Sequence, residues 1–278
     1  MRNKNIVKKV FFISIASFCI RVNFYLFEKE KSNNDLLFNI QKVYGPYMIH
    51  NSKKTHFLIN VFSDNKYFFL KKNSDYYLFM FNRKKNKINT TNYISISQFN
   101  YIIIQILIEL LAKTGFFFHG SVVLNERNEA LVFTGKSGSG KSTISELLSK
   151  KFTKIADDSF FIISENNNYF VYTNPQDFNN QNIFNSKLLS KINKKFPLKF
   201  IFFLKKAKYN KIEKNIFFSF DLVKIIFEQI AINKNYRKLH FSSLINFIKK
   251  NQKKIYSLYF VNNDTILDFM EKIQEKID

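Results

Sequence analysis

Eight consecutive residues carry the first chemical signal. Gly135, Lys136, Ser137, Gly138, Ser139, Gly140, Lys141 and Ser142 fit G-x-x-x-x-G-K-[ST] at every position, and Thr143 follows. Glycine at 135, 138 and 140 lets a backbone turn tightly without Cβ clashes. Successive N–H groups then converge and form an anion cradle. A helix starting at the end of such a loop adds the positive end of its dipole. In that geometry Lys141 reaches the β- and γ-phosphates of a nucleoside triphosphate, and the Ser142 hydroxyl ligates Mg²⁺. The bland alternative is a Gly/Ser-rich turn that matches by chance. Glycine usage speaks against it, because the chain has six glycines and five lie between Gly115 and Gly140.

Phosphoryl transfer also needs a group that takes the acceptor's proton and a partner for the metal. Asp157 and Asp158 are the nearest carboxylates after the loop. Neighbours on a strand point to opposite faces, so both serve one site only if the strand ends or bends at them. Asp157 is read as the acceptor-side base and Asp158 as the metal or water-bridged partner. The competing reading has one of them merely capping a turn. His119 stands where an imidazole could face the phosphates, although a lone histidine is more often structural.

These residues need elements to position them. Ala130 to Thr134 is an apolar, β-rich run leading into the loop, and Ile144, Leu147, Leu148 and Phe152 follow at helical spacing. Upstream, a helix capped by Ser95 or Ser97 is predicted through Lys113, apolar on most sides and so buried, with Gly115 ending it. Residues 116–124 and 129–134 read as the arms of a hairpin around 125–128. Residues 154–158 form a short strand, and 160–164 and 169–173 pair around a polar turn. Asn-rich residues 174–197, with Pro175 and Pro197, read as a loop. Strands at 198–205 and 254–261, and helices at 220–232 and 242–250, complete the pattern. Asp264 would cap a last amphipathic helix bearing Ile266, Phe269, Met270, Ile273 and Ile277.

The N-terminal third has less chemical content. Residues 1–28 have a basic start and an apolar run from 10 to 20, which resembles a leader, yet no small-x-small cleavage site follows and strand is the preferred reading. Short β-like runs at 56–62, 67–70 and 76–81 and a turn at Gly45-Pro46 suggest a mostly β module. His50 and His56 lie there without ligand partners nearby. The expected division is 1–95 for this module and 96–278 for the nucleotide-binding domain, giving an α/β (α+β) protein with a mixed sheet.

Composition narrows the classes. At 278 residues, 46% hydrophobic and 18% aromatic, the chain is globular rather than disordered. Cys19 stands alone, so no intramolecular disulfide framework exists, and a Mg²⁺-nucleotide site fits a cytoplasmic setting. The net charge of +23 comes almost wholly from lysine spread along the chain, with arginine only at 2, 21, 83, 127 and 237. Such dispersed charge reads as solvated surface, so specific nucleic-acid binding is not expected. No apolar stretch suggests stable membrane insertion. A homo-oligomer is compatible with the sequence.

His119-Gly120-Ser121-Val122-Val123, the hairpin, residues 135–143 and Ala156-Asp157-Asp158 together resemble the catalytic domain of the bacterial HPr kinase/phosphorylase family. The likeness is nearest to its smaller HPr-kinase-like relatives, some found with peptide-tailoring systems. It covers about 97–278, with the specific motifs confined to 119–158. It implies the P-loop fold shared with phosphoenolpyruvate carboxykinase, ATP and Mg²⁺ as cofactors, and phosphorylation of a serine hydroxyl. It also implies a site made of His119, Lys141, Ser142 and the paired aspartates. The chain departs from the family after the Asp pair, where no glycine-bearing second signature appears and Arg237 is the only arginine beyond Arg127. HPr itself is therefore not the expected acceptor. The expected activity is γ-phosphate transfer from ATP to a hydroxyl on a peptide, protein or small molecule. The alternative is a nucleotide-binding partner or scaffold without transfer. A transporter-type ATPase ranks last, because no LSGGQ-like signature follows.

Overall fold

The protein is described by a computed structural model covering residues 6–27, 35–52, 54–63, 81–175, 191–214, 220–232 and 234–277. It is a mixed α/β chain with two mixed sheets and few helices, and it forms two compact units, residues 1–107 and 108–278.

In the first unit, β1 (Ile6–Ile15) and β2 (Phe18–Phe27) form an antiparallel hairpin. Its turn residues Ala16 and Ser17 have φ of 50° and 70°, the double positive-φ geometry that matches strand twist. The apolar run at 10–20 thus lies in paired strands. With β3 (Met48–Ile49), β4 (Phe57–Phe62), β5 (Phe81–Lys84) and β6 (Lys87–Thr91) the sheet order is β3-β1-β2-β4-β6-β5. Alternation buries Ile20, Val22, Phe24, Phe57, Ile59, Val61 and Ile88 on one face. Sequence reading missed α1 (Asp35–Tyr44), whose Leu36, Leu37, Ile40 and Tyr44 are buried. The expected strand at 67–70 lies outside the described residues, as does all of 76–81 except Phe81.

The predicted buried helix forms as α2 (Ile96–Leu111). Its start is a capping box: the Gln98 N–H donates to Ser95 Oγ at 3.2 Å, and the Ser95 N–H donates to Gln98 Oε1 at 2.9 Å. Gly115 does not end it. That glycine opens β7 (Gly115–His119), where a Cβ would stand 2.2 Å from the carbonyl oxygen of Ile162. The close approach of β7 to its neighbour requires glycine there.

The second unit is built on one long strand, β13 (Lys195–Lys206). Its first residues pair antiparallel with β12 (Asn168–Thr173), and its remainder runs parallel to β9 (Ala130–Thr134) on one side and β16 (Ile255–Phe260) on the other. Pro197 therefore lies inside a strand, opposite Phe170, rather than in a loop. The order is β10-β8-β9-β13-β12-β11-β7-β15, with β14 (Lys211–Lys214) pairing β16. Here β8 is Ser121–Leu124, β10 Thr153–Ala156, β11 Ser159–Glu165 and β15 Ile230–Ala231. Asn166 and Asn167, both at positive φ, close the β11–β12 hairpin.

Residues 116–124 are not one hairpin arm. The run breaks at Gly120, so β7 pairs with β11 and β15 while β8 pairs with β9 and β10. The helix at 220–232 is also shorter than expected, ending as α4 (Phe220–Phe227) before β15.

Two further helices, α3 (Lys141–Leu148) and α6 (Thr265–Ile277), cover one face of the parallel strands. Ile144, Leu148, Phe200, Phe202, Leu204, Leu258, Phe260, Ile266 and Met270 share that core. Asp264 does not cap α6 with its side chain. Asn263 Oδ1 accepts from the Thr265 N–H at 3.1 Å, while the Asp264 carboxylate pairs with Lys150 at 2.6 Å. Among the described residues no helix is long and apolar enough to cross a membrane.

Candidate functional site

The strand order explains how distant residues meet. The chain changes neighbours twice, once at Gly120 between β7 and β8 and once at Asp157-Asp158 between β10 and β11. These two corners lie side by side. The Gly120 N–H donates to the Asp158 carbonyl at 3.0 Å, and His119 Nδ1 lies 3.2 Å from the same oxygen. His119 Nδ1 is also 3.7 Å from Asp158 Oδ1. Both side chains face solvent, at 51% and 79% exposure, so this is an open pair rather than a buried ion pair. A Cβ at Gly120 would stand 2.6 Å from the Phe133 carbonyl oxygen, so the first corner admits no side chain.

The glycine-rich loop sits between β9 and α3. Gly135, Gly138 and Gly140 have φ of 148°, 76° and 98°, a region that L side chains rarely adopt. A Cβ on Gly140 would meet the Phe260 ring at 2.7 Å. Lys141 curls back so that its ammonium donates to the carbonyls of Gly135 at 3.0 Å and Lys136 at 3.2 Å. Lys136, Ser137, Gly138, Ser142 and Thr143 are exposed. The Ser139 hydroxyl differs, being buried within the loop without a hydrogen-bond partner.

Asp157 lies on the α3 side of its corner. Its Oδ1 accepts from Ser145 Oγ at 3.3 Å, and its Oδ2 lies 3.1 Å from Lys154 Nζ. Lys154 also reaches Glu146 at 3.2 Å and is only 14% exposed. The two aspartates thus have different surroundings: Asp157 is tethered to the helix after the loop, and Asp158 stands beside the histidine. Strand β10 ends at Ala156, which lets adjacent carboxylates share one region. Among the described residues, no three or more His, Cys, Asp or Glu side chains cluster as a metal site would.

Several supporting residues escaped sequence reading. Thr134, fully buried at the end of β9, donates its hydroxyl to the His119 carbonyl at 2.9 Å. The His119 N–H donates to the Gln229 carbonyl at 2.7 Å. Ser121 Oγ donates to the Lys141 carbonyl at 2.9 Å, tying the start of α3 to β8. Lys154 precedes Asp157 by three residues, a weak signal in hindsight. Nothing near Gln229 in the sequence points to position 119.

Residues 83–219 match a family model. It is described as SynChlorMet cassette protein ScmC, and the match spans just under half of the chain. Both corners and the whole glycine-rich loop fall inside it. Among solved structures, the Hpr(Ser) kinase/phosphatase from Coxiella burnetii matches at 15% identity. The match covers 48% of this chain and 97% of that one, with a TM-score of 0.28. That superposition is too loose to bear on the arrangement described above. No curated protein matches the chain.

Proposed function

We propose that this protein is an ATP- and Mg²⁺-dependent phosphotransferase of HPr-kinase-like type, acting on a hydroxyl of a peptide, protein or small molecule. The observation that carries the reading is the meeting of the two strand corners, with His119, Asp157 and Asp158, beside the first turn of the helix that follows residues 135–142. In this reading the part from residue 96 onward holds the nucleotide in a P-loop fold like that of phosphoenolpyruvate carboxykinase, and residues 1–95 are an accessory module.

The loop fits a polyphosphate. Its glycines have the positive φ with which a tight loop can turn N–H groups toward an anion, and the Ser139 hydroxyl is a buried polar group still needing a partner. Ser142 and Asp158 are hard oxygen donors of the kind Mg²⁺ prefers and would hold the ion, which would neutralise charge on the phosphates. Lys141 leaves the loop carbonyls for the β- and γ-phosphates. The acceptor hydroxyl attacks the γ-phosphorus, the bond to the β,γ-bridging oxygen breaks, ADP leaves, and the hydroxyl proton passes to the Asp157 carboxylate. His119 faces the transferred group from the β7 side. A cytoplasmic location supplies both cofactors.

One observation favours the second reading, a nucleotide-binding module without transfer. Asp157 is already held by Lys154 and Ser145, and the lone arginine of the C-terminal half, Arg237, lies on a different element from these residues. Titration calorimetry with ATP and Mg²⁺ tests the shared part: Lys141→Met should weaken binding at least tenfold. Absence of binding to the unmodified protein would sink both readings. Incorporation of γ-phosphate label into acceptor peptides, lost in Asp157→Asn while ATP still binds, separates the first reading from the second.

A further inference from the structure

The groove between α4 and α5 (Arg237–Asn251) has no place in the chemistry described so far. It encloses about 860 Å³, within the size range of ligand-binding clefts. Its apolar lining comes from Val223 and Phe227 on α4 and from Leu239 and Phe241 on α5. Phe227 and Phe241 meet edge to face, with centroids 6.1 Å apart.

The pattern of α5 shows that this lining is surplus to the core. His240, Leu244, Phe247, Ile248 and Asn251 recur at helical spacing and are the buried face of the helix. Leu239 and Phe241 fall outside that stripe and stay 38% and 46% exposed. Helical geometry alone does not demand apolar residues there. The charge on the groove is one-sided. Lys224, Arg237 and Lys238 line it, and no carboxylate is among its described lining residues. Position matters as well. Phe227 lies two residues before Gln229, whose carbonyl holds the His119 N–H. The groove is therefore continuous in the chain with the β15–β7 contact that fixes the imidazole.

We propose that this groove docks the acceptor, and that the acceptor segment is an amphipathic peptide with large apolar side chains flanked by Asp or Glu. The apolar walls take its leucine- or phenylalanine-sized anchors, and the three cations pair with its acidic flanks. The only arginine of the second unit's described surface after Arg127 thus serves substrate recognition rather than phosphate chemistry. Calling the docked peptide the acceptor rests on the phosphotransferase reading; the docking itself does not.

The test uses the full chain and two fluorescein-labelled peptides. One places Leu at every third and fourth position with Glu between, and the other carries Lys in place of each Glu. Fluorescence anisotropy should show the acidic peptide binding at least tenfold more tightly than the basic one, with affinity falling as salt rises. Leu239→Asp should abolish binding. The double charge reversal Arg237→Glu with Lys238→Glu should invert the preference toward the basic peptide, which simple misfolding would not produce. ATP affinity, measured in the same samples, should stay unchanged in all three proteins. Equal binding of both peptides, or binding unaffected by these changes, overturns the proposal. So does concentration-dependent self-association that Leu239→Asp abolishes, since the occupant would then be a second copy. Acidic-peptide binding without any phosphate transfer leaves the groove standing and counts against the phosphotransferase reading alone.

Discussion

Each unit contains polar side chains brought together by strand pairing, and the two sets have opposite surroundings. In the first unit, Asn23, Asn60 and Asn89 occupy one register across β2, β4 and β6. Asn23 Nδ2 donates to Asn60 Oδ1 at 2.8 Å, and Asn60 Nδ2 donates to Asn89 Oδ1 at 2.9 Å. Asn23 and Asn60 are buried, and the amides satisfy one another mid-strand. In the second unit, His119, Asp157 and Asp158 sit where strands end. They are exposed or half-exposed, and the side chains of His119 and Asp158 make few contacts beyond each other. A polar group sunk in a sheet must find a partner within the protein. One at a strand end can keep its capacity for a ligand. The ladder's amides satisfy one another, whereas at the corner Asp157 is held by Ser145 and Lys154 while the side chains of His119 and Asp158 stay open to solvent.

The largest effect should come from closing the corner. Gly120→Ala places a methyl group 2.6 Å from a backbone oxygen of β9 and 3.2 Å from the Phe160 ring, neither free to withdraw from the sheet. The expected loss is about 3 kcal/mol of stability, read from urea unfolding, together with weaker ATP binding as His119 and β8 shift. A neutral outcome would mean the two strand switches are not rigidly joined.

The ladder should respond differently. Asn60→Ala takes the acceptor from Asn23 Nδ2 and the donor from Asn89 Oδ1 at once, with Arg21 Nε still donating to Asn23 Oδ1, at an expected cost of about 2 kcal/mol. Nucleotide affinity should not change, because the ladder belongs to the other unit. If ATP affinity falls with Asn60→Ala, the separation of roles drawn above fails.

The contrast also explains what could be read in advance. The glycine-rich loop is local: its spacing, the apolar run before it and the helix after it are contiguous, so residues 130–148 announce their own geometry. The helix over 96–111 was legible for the same reason, from Ser95 and a long apolar run. The ladder and the corner depend on sheet order, which no local pattern encodes. Residues 116–124 look like one continuous strand because Phe116–Phe118 and Val122–Leu124 are equally apolar; only the placement of β11 and β9 on different sides reveals Gly120 as a switch. Pro197 misleads because its missing N–H suggests a loop, whereas it occupies the last position at which β13 pairs with β12. Helix α1 was obscured by its length, since ten residues give barely three turns of periodicity.

A smaller effect tests how the corner is held. Thr134→Val keeps the shape but removes the hydroxyl that donates to the His119 carbonyl. Stability should fall by about 1 kcal/mol. Transfer activity should fall by more than ATP affinity, because the lost contact supports His119 and not the loop. Equal losses in both would assign Thr134 a purely structural role.

The finest comparison is between two histidines, one in each unit, His56 half-buried and His240 fully buried. His56 Nδ1 accepts from the Cys19 N–H at 3.0 Å, whereas neither ring nitrogen of His240 has a hydrogen-bond partner. Burial holds both below the usual histidine pKa, with Lys54 adding to the effect at His56. A depressed folded-state pKa means that the unfolded chain takes up the proton first as pH falls. Stability is therefore fully present above about 6.5, the unfolded value, and is lost progressively as pH drops toward the folded pKa. His240→Leu should flatten this acid loss without a penalty at pH 7.5, since it removes an unpaired polar ring from an apolar site. His56→Leu should flatten it too, but at pH 7.5 it should cost about 1 kcal/mol, because the Cys19 N–H loses its acceptor. Urea midpoints at pH 7.5 and pH 5 for the two variants and the parent decide it. Equal costs at pH 7.5 would show that the imidazole at 240 is satisfied in solution after all, leaving the Ser139 hydroxyl as the unpartnered buried side-chain group among the described residues.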